Sequence, residues 1–134
     1  MTVVIDTSVV LALLVATDDF HEAAQTLYVA LDEDVVTTPL AVAEMDYLIT
    51  QRGGRAGAEA LWRDLDTGAI GVRWWATAMT ETVAIARASL KLGLADASLL
   101  ALAPVVRTTR IATFDRKHFA AARTADGGPF TLLP

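Results

Sequence analysis

Four carboxylates, Asp6, Glu44, Asp96 and Asp115, interrupt or directly follow apolar stretches of the chain. Asp6 ends Val3-Val4-Ile5, and Glu44 lies within Leu40-Ala41-Val42-Ala43-Glu44-Met45. Asp96 opens onto Ala97-Ser98-Leu99-Leu100, and Asp115 follows Ile111-Ala112-Thr113-Phe114. A carboxylate held near a core costs free energy unless it is paired, hydrogen-bonded or metal-bound. Nine acidic residues and no Lys or Arg lie between Met1 and Gln51, so the first two acids have no cation near them in sequence. An acidic pocket for a metal ion is the chemistry that such a set would serve. Carboxylate oxygens suit the hard cations Mg²⁺ and Mn²⁺. Such ions bind a scissile phosphate, acidify a water for in-line attack and stabilise the leaving oxygen. Zinc is a poor fit, because there is no Cys and only His21 and His118.

Three of the acids also have a structural use. Asp6 and Asp115 each follow a short strand and could cap the helix that comes next, and Asp96 could cap the helix carrying Leu99 and Leu100. Glu44 has no such use. Leu40, Glu44 and Leu48 are four residues apart, so they share one helical face, and this line is expected to face the core. Thr7, Ser8 and Thr113 stand beside strand-end acids, where a hydroxyl could orient a carboxylate or a water, or simply cap. His21 reads as exposed, and His118 as surface or packing, with substrate contact as its lesser use.

These residues need a frame to bring them together. Val3-Val4-Ile5, within a strand from Met1 to Ile5, and Val35-Val36-Thr37 are short β-branched runs. Further strands are expected at Ile70–Trp75, Arg110–Thr113 and, at an edge, Phe130–Leu132. Helices are expected at Val9–Val15, Asp19–Leu31, Pro39–Gln51, Ala56–Asp66, Ala78–Leu92, Asp96–Ala103 and Arg116–Ala122. Gly53-Gly54 should stop the third of these and Gly93 the fifth. Strands alternating with helices imply an α/β fold with a parallel sheet, whose sites form beyond the carboxyl ends of the strands.

A chain of 134 residues fits one domain, 1–134, with a real core. Its apolar stretch Val9 to Ala16 is too short to span a bilayer, and no basic segment precedes it. With no cysteine, the expected setting is the cytoplasm. A net charge of −5 argues against general binding to a phosphate backbone. It leaves room for a nuclease, because a divalent metal supplies the missing positive charge.

Val4-Ile5-Asp6-Thr7-Ser8, Ala43-Glu44-Met45, Leu92-Gly93-Leu94-Ala95-Asp96-Ala97 and Thr113-Phe114-Asp115-Arg116 together resemble the motifs of PIN-domain nucleases. The resemblance spans essentially the whole chain and is nearest to the VapC-type toxins of bacterial toxin–antitoxin pairs. It implies a three-layer α/β/α fold with a central parallel sheet of four to five strands. It also implies an endoribonuclease dependent on Mg²⁺ or Mn²⁺, with Asp6, Glu44, Asp96 and Asp115 as the acidic residues. Thr113 matches the hydroxyl residue that often precedes the last acid, and the family varies most at that fourth acid. Thr7, Ser8 and Arg116 are expected on the substrate side. The implied partners are an RNA substrate, a second copy in a homodimer and an antitoxin whose basic side chain could enter the acidic pocket. A phosphoaspartyl receiver or phosphatase domain is the rival reading, together with a PIN-like module that only binds.

Overall fold

The computed structural model describes all 134 residues. Five strands form one fully parallel sheet: β1 (Thr2–Ile5), β2 (Asp34–Thr37), β3 (Gly71–Val72), β4 (Arg110–Ala112) and β5 (Thr131–Leu133). Their spatial order is β3-β2-β1-β4-β5. Val3, Val4, Ile5, Ile111 and Ala112 are fully buried. Such unbroken apolar runs are what a parallel sheet covered on both faces requires.

The helices are α1 (Thr7–Leu14), α2 (His21–Ala30), α3 (Pro39–Thr67), α4 (Ala78–Ala88), α5 (Leu94–Val105) and α6 (Arg116–Phe119). Parallel strands are joined by right-handed crossovers, and this assigns the helices to faces. From β1 to β2 to β3 the chain moves one way across the sheet, which puts α1, α2 and α3 on one face. From β3 it steps back over β2 and β1 to β4, which puts α4 and α5 on the other. The packing agrees, with α1 against α2 and α3, and α4 against α5. The direction reverses between β1 and β4, which leaves a crevice at their carboxyl ends.

Several boundaries differ from expectation. The two helices anticipated on either side of Gly53-Gly54 form one run, kinked where Gly54 takes φ 62° and ψ −159°. That backbone region is almost exclusive to glycine, so the pair bends the helix rather than ending it. The third strand shrinks from Ile70–Trp75 to two residues, and Trp74 turns out to solvent while Trp75 packs on the core. The helix α4 stops at Ala88, and Gly93 is the N-cap of α5 rather than a terminator. The second strand begins one residue earlier than Val35, at Asp34, which pairs with Thr2. The last strand is shifted by one residue, to Thr131–Leu133, and lies parallel at the sheet edge.

Candidate metal-binding active site

Asp6 stands at the carboxyl end of β1, beside the crevice. It is 3% exposed, and its Oδ2 accepts hydrogen bonds from Ser8 Oγ at 2.7 Å and Thr113 Oγ1 at 2.8 Å. Each hydroxyl is held in turn from the loop after β4. The Phe114 N–H donates to Ser8 Oγ at 2.9 Å, and the Asp115 N–H donates to Thr113 Oγ1 at 2.9 Å. The two loops are thereby stitched around one carboxylate, and a fully satisfied network of this kind is stiff. Burial pushes the pKa of Asp6 up, while the Ser8 and Thr113 hydroxyls and the nearby N–H groups of Thr7 and Ser8 pull it back.

A second bridge sets the helices that carry the other acids. Thr38 caps α3, its Oγ1 accepting from the Ala41 N–H at 3.2 Å. Its hydroxyl lies 2.6 Å from Ser98 Oγ on α5, and Ser98 donates to the Ala95 carbonyl at 2.6 Å. With the Ser98 proton committed there, Thr38 is the donor between the two hydroxyls. Glu44 on α3 and Asp96 on α5 are thus indexed to each other by a buried hydrogen bond.

Asp6, Glu44 and Asp96 converge, each offering one oxygen within 4.8 Å of the others. Asp96 has its pKa raised to about 6, by burial and then by the charge of Asp6, with the Glu44 charge adding to this and His118 opposing it. No Lys or Arg forms an ion pair with any of the three, and the only basic group in contact is His118. The donor set is all hard oxygen and carries surplus negative charge, which fits Mg²⁺ or Mn²⁺ and not a soft metal.

The expected capping roles are not used. The carboxylates of Asp6 and Asp115 make no capping hydrogen bond although both stand at N-cap positions, and Asp96 lies in the first turn of a helix whose N-cap is Gly93. Glu44 corrects a different expectation. It does not face the core: the buried row of α3 is Ala41, Met45 and Ile49, and Glu44 is exposed one step round the helix. Its place at the rim lets the long side chain reach the cluster from outside.

The remaining expected residues are not members of the trio. Asp115 is outside the trio, and its Oδ2 sits 2.9 Å from His118 Nδ1. Thr7 is buried with its hydroxyl unpartnered, and Ser8 donates its proton to Asp6. Arg116 donates to the Pro134 carbonyl at 2.7 Å. His118, which reads from the sequence as surface or packing with substrate contact as its lesser use, instead contacts the Asp96 and Asp115 carboxylates. It stands three residues after Asp115, the spacing that lets a side chain on one helical turn reach back. His21, taken as exposed, is half-buried and meets the Ala12 carbonyl at 2.6 Å.

The family model described as "PIN domain" matches residues 3–124. The chain is 35% identical to ribonuclease VapC26 of Mycobacterium tuberculosis strain ATCC 25618 / H37Rv, over 98% of its own length and 99% of that protein's. It resembles the crystal structure of M. tuberculosis VapC20, a sarcin–ricin loop cleaving toxin, with a TM-score of 0.82 and 21% identity. That match covers 90% of this chain and 95% of the other. VapBC2 from Rickettsia felis, solved bound to a DNA fragment from its promoter, matches with a TM-score of 0.61 and 12% identity, over 100% of this chain and 98% of that one.

Proposed function

The chain belongs to the PIN-domain family, and from that premise we propose that it is a metal-dependent endoribonuclease, the toxin of a type II toxin–antitoxin pair. The observation that carries this reading is the convergence of Asp6, Glu44 and Asp96 from β1, α3 and α5 with no Lys or Arg to neutralise them. Three carboxylates so close repel one another unless a cation joins them.

Asp6, Glu44 and Asp96 would hold Mg²⁺ or Mn²⁺. When bound, such an ion sets positive charge against the scissile phosphate and acidifies the attacking water. The protein's own part is positional. Ser8 and Thr113 fix the plane of the Asp6 carboxylate, Thr38 and Ser98 fix the helices of Glu44 and Asp96, and the exposed side of Glu44 leaves the cluster open to RNA. The complete trio supports catalysis over a module that only binds. The family assignment leaves no place for the phosphoaspartyl alternative.

The same excess of negative charge suits inhibition by an antitoxin whose Arg or Lys enters the cluster in place of the metal. The likeness to the VapC proteins supports this partnership. Incubation of purified protein with total RNA in Mg²⁺, Mn²⁺ or chelator, without and with an excess of candidate antitoxin, tests the reading. Metal-dependent cleavage that Asp6→Asn abolishes is the expected result. Cleavage that persists in chelator or in the variant would refute it.

A further inference from the structure

We propose that Asp115 serves the site through His118 rather than as a metal ligand, and that His118 is the positioning residue for Asp96. The inference rests on reading Asp6, Glu44 and Asp96 as the metal-binding trio. His118 Nδ1 lies 2.9 Å from Asp96 Oδ2 and 2.9 Å from Asp115 Oδ2. Both neighbours are acceptors when ionised; Nδ1 makes its hydrogen bond to Asp96 Oδ2, and Asp115 Oδ2 lies in close contact with the same nitrogen. The imidazole therefore joins the fourth acid to the third, while the fourth offers no oxygen to the trio itself.

The mounting of the ring is rigid. Phe119, next in sequence, is 1% exposed and plugs α6 into the core. The Asp115 main chain is held at the other end by Thr113 Oγ1, the same hydroxyl that donates to Asp6. One path thus runs by hydrogen bonds from Asp6 through Thr113 to the Asp115 main chain, and from the Asp115 carboxylate by close contact to His118, which is hydrogen-bonded to Asp96. Taking up Oδ2 of Asp96 fixes the plane of that carboxylate and directs its other oxygen. Partners that orient ligating groups in this way typically govern metal affinity by about 10- to 100-fold.

A double-mutant cycle separates the two roles of Asp115. Mn²⁺ binding to the full chain is measured by calorimetry, with metal-free melting as the control for folding. His118→Ala is expected to weaken Mn²⁺ binding at least about 10-fold. Asp115→Asn should weaken it less, and should add nothing in the His118→Ala background. His118→Asn, whose amide nitrogen can stand where Nδ1 does, is expected to restore most of the affinity, which a merely space-filling role for the ring would not allow. An Asp115→Asn loss as large as that of Asp96→Asn, and undiminished in the His118→Ala background, would make Asp115 a ligand and overturn the proposal. Unchanged affinity in His118→Ala would overturn it too, while leaving the trio as the metal site. Wild-type protein that binds no Mn²⁺ overturns both readings.

Discussion

Asp96→Asn isolates the electrostatic load carried by the cluster, because it removes one charge and keeps the shape. In the fold the Asp96 carboxyl is held at about 6 against 3.8 for the free group, by burial first and by the Asp6 charge next. A raised acid favours its neutral form in the folded state. Its stabilising contribution is therefore complete below about pH 3.8 and is lost as the pH rises through about 6. The whole difference corresponds to about 3 kcal/mol, and solvent screening of this partly exposed group reduces it to roughly 1–2 kcal/mol. The asparagine bears no such penalty. In chelator at pH 7.5, the variant should melt about 3–8 °C above the wild type, a gap that narrows towards pH 4. Melting curves followed by circular dichroism between pH 4 and pH 8 measure it. Equal melting temperatures at pH 7.5, or a gap that ignores pH, would refute the assignment of strain to the trio.

Millimolar Mn²⁺ should raise the wild-type melting temperature at pH 7.5 and much less at pH 4.5, where Asp96 takes up a proton; differential scanning fluorimetry reads this directly. Glu44→Gln should abolish RNA cleavage in a gel assay yet change stability by no more than about 0.5 kcal/mol, because the side chain is exposed. Thr113→Val leaves Asp6 with one hydroxyl donor and the Asp115 N–H without its acceptor, so urea denaturation should show a loss of about 1–3 kcal/mol. Gly54→Ala meets no atom within 4 Å, but its φ of 62° with ψ −159° should still cost about 1–3 kcal/mol by the same assay.

Much of the frame was legible because apolar runs and their punctuation are local properties. Val3-Val4-Ile5 and Ile111-Ala112 read as buried strands, and the alternation with helices gave a parallel sheet with its site at the carboxyl edge. Glu44 stands out in the sequence for a core-facing position that the fold does not give it. The row Leu40–Glu44–Leu48 reads from the sequence as core-facing, whereas Met45 and Ile49 belong to the buried row one step away. A helical face is about one residue wide in phase, and a stretch as apolar as this one lets several phases pass. His118 escaped because its partner Asp96 is 22 positions away and comes near only through tertiary packing. The length of β3 was equally unreadable: Trp74 and Trp75 have strong strand preference, but the chain turns away towards α4 before they can pair.

The order of the strands also bears on when the enzyme can act. Asp6 is among the first residues made, yet Thr113, which holds it, lies 107 positions later, and β4 is the central strand's other neighbour. Contacts so far apart in sequence form only after a long loop has closed. A chain still being synthesised therefore carries Asp6, Glu44 and then Asp96 without the loop that locks them. The locked site comes into being only when the residues through Thr113 have been made and the sheet has closed.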